Sequence, residues 1–352
     1  MTEAEAFTKF GKFLIAPAKE VYGELRVGGK DTSLYLRDDE PFHPQSVPDG
    51  CITGTMHDLT KVTLIQCLTL EVLSSGSRDG ERYYYTRLFP HFVLEGQRHL
   101  APNDRVIVDI SLVLEDVTAL FYDFDAFGTV LDAVPHIEQI VLAKKLDRPI
   151  PIGPEPKIVY FTGKRDIIEV DTVLGKVGAR HNPGWSLGGP HGVRIDNVIS
   201  VSLQPKTPLA FEEAITRTLR LLRFLELIIG RPQNIRELIM YLGGSEHRES
   251  LKVHWSHRPS RLADSTNDRV SPQPADLLLD PIHRPEEFAR VLRAWLEKDE
   301  ERQDARQRFH TSFAHQRTYS VERLVGAANM FDILPKSAAP RDTQLSDELL
   351  VH

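Results

Sequence analysis

The sequence predicts an α+β fold: a β-rich N-terminal region of one or two sandwich-like lobes, followed by an all-helical C-terminal part. Three observations carry this. Up to residue 205, short runs rich in Val, Ile, Tyr, Phe and Thr alternate with turn residues, the pattern of many short strands. From Phe211 onward, apolar residues recur at three- and four-residue steps, the period of a helix. The 352 residues, 41% hydrophobic and 26% charged, suffice to fill a core and fit two domains of roughly 150 residues each.

Val21–Val27 and Thr32–Leu36 alternate on either side of Gly28-Gly29-Lys30-Asp31, which reads as a hairpin because Gly supplies the positive φ of tight turns. Cys51–Met56 and Lys61–Cys67 form a second pair, and Arg82–Leu94 and Arg105–Leu114 are longer strands. Val117–Phe127 holds a short helix. Strands resume at Lys157–Phe161, Ile167–Leu174 and Val193–Leu203. Pro149, Pro151, Pro154 and Pro156 stiffen a connector, so a sub-boundary is expected near 148–156.

At Thr207 the pattern changes. Thr207 is a candidate N-cap with Pro208 at the first helical position. Phe211, Ile215, Leu219, Leu222, Leu225 and Ile229 form a stripe, which Gly230 and Pro232 stop. Ile235–Leu242 is expected to be a second, shorter helix, and 244–284 an irregular segment. Pro285 opens a helix with Phe288, Val291, Leu292 and Trp295 on one face. Glu297–Arg308 is nearly all charged, and Tyr319–Leu334 is a last apolar helix. The chain thus divides into 1–205 and 206–352.

A net charge of −7 excludes a generally basic nucleic-acid coat protein and leaves only a local patch. Cys51 and Cys67 cannot build a disulfide scaffold; they read as small core residues of a cytoplasmic protein. The acidic start lacks an apolar signal core, and no apolar run approaches the ~20 residues of a membrane span, so no membrane partner is expected. Gly28-Gly29-Lys30 fails as a phosphate loop, with Glu24 and Asp31 where Gly and Ser/Thr are needed. His247, His254 and His257 lack an accompanying Cys pair or HExxH, so no metal or other cofactor is expected. Asp116, Asp123 and Asp125 read as a helix cap or solvated turn.

Residues 217–261 hold nine Lys or Arg against four Asp or Glu. Arg217, Arg220, Arg223, Arg231, Arg248, Lys252, Arg258 and Arg261, with Trp255 among them, make a candidate patch that tracks RNA or DNA phosphates and stacks a base. A solvated helix face joined to a charged loop is the competing reading.

Five stretches, taken in order, resemble the N-terminal part of ApeA-type abortive-infection proteins of bacteria. They are Phe10-Gly11-Lys12-Phe13 with Val21–Leu25; Cys51–Thr55 with Lys61–Leu64; Arg87–Gly96; Thr118–Asp123; and the helix Phe211–Gly230. The resemblance covers residues 8–330. It implies anti-phage defence set off by a phage-derived trigger, and a HEPN-like helical unit that pairs as a homodimer. In such units an Arg, four to six residues and a His cleave RNA without metal, His moving protons and Arg stabilising phosphorane charge. Arg308 and His315 have this spacing, and a seven-residue step returns to nearly one helix face, although an Arg-rich segment produces such spacings by chance. Arg248 and His254 also fit. The family's catalytic helix is expected beyond Tyr319–Leu334, so the helical unit in 206–352 is expected to be incomplete. The alternative is a non-catalytic sensor, regulatory or nucleic-acid-binding module.

Overall fold

The computed structural model describes residues 6–16, 18–42, 50–76, 82–145, 150–186, 190, 192–244, 249–256, 272–314 and 321–338. Its first six strands are β1 (Phe7–Ala16), β2 (Lys19–Val27), β3 (Ser33–Asp38), β4 (Cys51–Met56), β5 (Lys61–Gly76) and β6 (Arg82–Gly96). β1 pairs with β2 and β4, β2 with β3, β4 with β5, and β6 with both β3 and β5. These antiparallel pairings close a six-stranded barrel, and closure leaves no strand edge open between them. Alternate residues fill its interior, among them Phe13, Leu25, Leu34, Leu64, Leu88 and Val93.

The last residues of β6 pair a second time, with β14 (Glu249–Trp255). From there an antiparallel sheet continues through β13 (Ile235–Leu242), β7 (Ile107–Leu114), β12 (Ile195–Gln204), β11 (Gly175–Trp185) and β10 (Asp166–Thr172). Helices α3 (Phe211–Ile229) and α4 (Pro285–Glu297) share one core with it: Phe224, Leu225, Phe288 and Leu292 cluster with Leu112, Leu203, Leu238 and Met240. Gly230 ends α3 at φ +81°, its N–H donating to the carbonyls of Glu226 and Leu227, a left-handed cap that Gly adopts without Cβ strain.

The short helix α1 (Val117–Leu120) adds Val117 and Leu120 to the same sheet–helix core. The peripheral elements are the helix α2 (Val134–Ala143) and the ribbon of β8 (Phe127–Val130) with β9 (Ile158–Phe161). The proline-rich stretch lies in the excursion between these two paired strands. Beyond α4 come α5 (Asp299–Ala314) and α6 (Val321–Asp332). A Cβ added to Gly326 of α6 would stand 2.4 Å from Ser312 Oγ of α5, so the two helices approach closely there.

The α+β class and both N-terminal strand pairs agree with the sequence expectation. Three local expectations are corrected. Ile235–Leu242 is a strand, not a helix. Leu238, Met240 and Leu242 are buried at a period of two, and pairing on both sides by β7 and β14 outweighs any helical preference of so short a segment. Glu249–Trp255, within the stretch expected to be irregular, is likewise a strand, so the C-terminal part is not all helical. The long helix starts at Phe211, not Pro208. Leu209 exchanges both backbone hydrogen bonds with Ile107, and Ala210 is extended (φ −77°, ψ 162°), so the chain runs against β7 there and turns helical only at Phe211. Helix α2 buries no side chain and leaves no clear stripe in the sequence to announce it.

Candidate binding cleft between the barrel and the sheet

β14 alternates as a strand with one wet face must: Leu251 and Val253 enter the helix-backed core, while Lys252 and His254 point the other way. Opposite them stands the β2–β3 turn of the barrel, with Val27, Gly28, Gly29 and Thr32. The two walls enclose a cavity of about 70 Å³, also lined by Arg236 and Trp255. Gly29 has φ +56°, which a side chain would strain, and the Gly28 N–H donates to Thr32 Oγ1 at 3.1 Å. The Gly-Gly-Lys motif is therefore a turn, as its sequence implied, yet it forms one wall of a cleft that no local motif signals.

A polar cluster ties the two walls together. Glu95 of β6 accepts from Lys9 Nζ of β1 at 2.6 Å and lies 3.1 Å from His254 Nε2 of β14. Lys9 also pairs with Asp58 at 3.0 Å. The His254 contact, then the Lys9 ammonium, holds the Glu95 carboxyl down at about 2, despite the opposing effect of burial. Beside this cluster the Trp255 indole N–H donates to His91 Nε2 at 3.0 Å, and its ring packs on Phe92. His254 is thus a clamp between barrel and sheet. Trp255 is anchored by its indole and forms a rigid rim.

The other candidate residues lie elsewhere. Arg217 donates to the Leu174 carbonyl at 2.7 Å. Arg220 donates to Asp299 at 2.7 Å and to the Leu296 carbonyl at 3.0 Å, and Arg223 donates to Gln307 at 2.9 Å. Arg306 joins this group only 7% exposed, its guanidinium 3.6 Å from the Trp295 ring centre and 2.5 Å from Asp299. Arg217 therefore ties α3 to the turn between β10 and β11, while Arg220 and Arg223 dock α4 and α5 onto α3. Arg231 makes a two-point ion pair with Asp116, which also accepts from Gln233 Nε2 at 2.9 Å. Asp116 occupies the N-cap position of α1, as expected, but makes no side-chain capping bond and is only 4% exposed, so the solvated-turn reading is the part that is corrected. Asp123, also buried, accepts from Lys164 at 2.8 Å.

Among the described residues, Lys252 and Arg236 are the cations of the 217–261 stretch that are exposed and line the cleft. Arg248, Arg258 and Arg261 lie outside the described residues, as do His247, His257 and His315. Arg308 is exposed on α5. The structure thus brings Lys252 and Trp255 together and separates them from the α3 arginines. Cys51 and Cys67 occupy β4 and β5, and burial pushes the Cys67 thiol up to about 12, which leaves it unreactive as a nucleophile. Among the described residues, no helix is long and apolar enough to cross a membrane.

A profile of the family described as ApeA N-terminal domain 1 matches residues 9–295. The matched span contains the barrel, the sheet, α3, most of α4 and both walls of the cleft. No curated protein and no solved structure matches the chain.

Proposed function

Because the chain belongs to the ApeA N-terminal domain 1 family, we propose that it serves antiviral defence by abortive infection, with the barrel–sheet cleft as its recognition site for a phage-derived trigger. One observation carries this reading: the cleft is walled by both β units. A ligand there touches the β2–β3 turn and β14 together. The core-facing residues of β14 pack with α3, and α3 holds α4 and α5 through Arg220, Asp299 and Arg306. Occupancy therefore has a packed route to the helices. The lining holds two cations, Lys252 and Arg236, against one carboxylate, Glu237, a balance that suits a ligand with an acidic group.

The output in this reading comes from the helical part. α5 and α6 begin a HEPN-like unit, and RNA cleavage is the effect that stops growth of the infected cell in the cytoplasm. Val321, Leu324, Val325 and Phe331 of α6 are exposed at helical spacing, which supports pairing of two copies through this part. Arg308 and His315 are the candidate catalytic pair within the chain.

Plaque assays test the recognition claim. Lys252→Glu with Arg236→Glu should abolish protection while the protein stays folded and abundant; undiminished protection removes the cleft from the mechanism. Replacing Arg308 and His315 together tests the catalytic pair: if RNA cleavage by the chain is unchanged, that pair is not the site. Protection without any cleavage favours the second reading, a non-catalytic regulatory module.

A further inference from the structure

The outer wall of the barrel carries a band that the cleft does not use. On β3 and β6 the inward residues Leu34, Leu36, Thr86 and Leu88 are buried, so Tyr35, Arg37, Tyr83, Tyr85 and Arg87 face outward. Arg37 lies opposite Tyr85 in register, and its guanidinium stands 4.5 Å from the Tyr83 ring centre and 5.5 Å from that of Tyr85. Tyr35 is bracketed by Arg26 at 4.9 Å and Arg87 at 5.5 Å. The band runs on to β2 and β1, where Tyr22 (72% exposed) carries Lys12 at 5.1 Å and Phe10 is 59% exposed.

We propose that this face binds a single-stranded polynucleotide, its bases stacking on Tyr83, Tyr85 and Tyr35 and its phosphates meeting Arg37 and Arg87. Two features select this occupant. Guanidiniums interleave with aromatic rings on one exposed sheet face, the arrangement that takes unpaired bases and their backbone at once. The charges are also unevenly compensated. Glu20 and Glu24 on this face are paired with Lys12 and Arg26, and Glu71 lies opposite Arg87 in register. Arg37 and Arg87 form no ion pair among the described residues; Arg87 donates only to Ser33 Oγ, at 3.3 Å. Two guanidiniums are thereby left for phosphate. A duplex hides its base faces, so the stacking half of the site is useless to it.

The surface is not flat throughout. Arg26, Tyr35 and Arg87 line a concavity of about 370 Å³ with Thr8, Gly28 and Asp31, a recess large enough for a nucleobase. Val27 and Gly28 line both this recess and the barrel–sheet cleft, so a bound strand would end beside the β2–β3 turn. Strand binding by the barrel face does not depend on a role in defence, because it requires only the Arg–Tyr band itself.

The test is direct binding of the full chain to a labelled oligothymidine of about twelve nucleotides, read by fluorescence anisotropy at several salt concentrations. Expected are binding that weakens with salt, roughly tenfold loss for Tyr83→Ala with Tyr85→Ala, near retention for the two Phe replacements, and roughly tenfold loss for Arg37→Glu. Lys144→Glu, at the exposed C-cap just past α2, should leave affinity unchanged. No binding overturns the proposal. So does equal or tighter binding of the matching duplex, or an Ala pair that binds as well as the Phe pair while its thermal melt is native. Plaque protection lost in the Lys252 variant with oligothymidine binding intact would separate this site from the cleft.

Discussion

Val93 and Leu94 are adjacent in β6 and belong to different cores. Val93 points into the barrel with Phe13 and Leu64; Leu94 points into the sheet–helix core with Leu251 and Phe92. β6 is the wall the two units share, and the two-residue period of a strand gives one side chain to each. This makes the barrel and the sheet mechanically continuous.

Leu94→Ala should therefore lower stability by about 2–5 kcal/mol, the range for a fully buried leucine. Val93→Ala should cost less. Because both residues sit on one strand, chemical denaturation of either variant should show the barrel and the sheet unfolding in a single transition. Two transitions would show that β6 does not couple the units.

Asp299 neutralises Arg220 and the buried Arg306 together. Asp299→Ala leaves two guanidiniums uncompensated and should destabilise by about 3–5 kcal/mol. Arg306→Met, which keeps a packed stem over Trp295, should cost clearly less. Thermal melting of both variants checks the order; equal losses would mean that the charge balance is unimportant.

Two groups set opposite ends of the acid profile. Glu95 is held at about 2, below its unfolded value of roughly 4.3. Its stabilisation is complete above the unfolded value and is lost as pH falls towards about 2. His310, pushed down to about 4 by burial and then by Arg223 and Arg306, binds its proton less readily folded than unfolded. Stability should therefore also fall between roughly pH 6.5 and about pH 4. Denaturant titrations across pH should show Glu95→Gln flattening the lower window and His310→Gln the upper one. A profile unchanged by either variant would refute the assignment.

Gly54 sits under the Phe13 ring inside the barrel, where an added Cβ would stand 2.6 Å from Cδ1 and 2.8 Å from Cε1. Gly54→Val should displace Phe13 and destabilise by about 1–3 kcal/mol or more through overpacking. Gly54→Val with Phe13→Leu should recover part of the loss. Equilibrium unfolding measures both; no recovery would place the strain elsewhere.

Much of this molecule is written in local chemistry. The alternation at Val21–Val27, the strand pair Cys51–Met56 and Lys61–Cys67, the glycine turn at Gly28-Gly29, and the stripe of α3 with its Gly230 stop are each legible within a few residues, as a backbone period, a strand composition or a φ requirement. The family resemblance is legible in the same way, from the order of such stretches. What the tertiary structure alone decided depends on partners distant in the chain. Ile235–Leu242 is a strand because β7 and β14 flank it. Arg231 is a half-buried structural group because Asp116, 115 positions away, receives it, and among the described residues Arg217, Arg220 and Arg223 of the same stripe also spend their guanidiniums on internal partners. The barrel closes because β6 meets β3 and β5. The cleft and the Arg–Tyr face arise from that closure, since each assembles side chains from strands that are far apart in sequence. A charge or an aromatic ring has no assigned role until its neighbours across the sheet are known, and neighbours across a sheet are set by packing, not by sequence spacing.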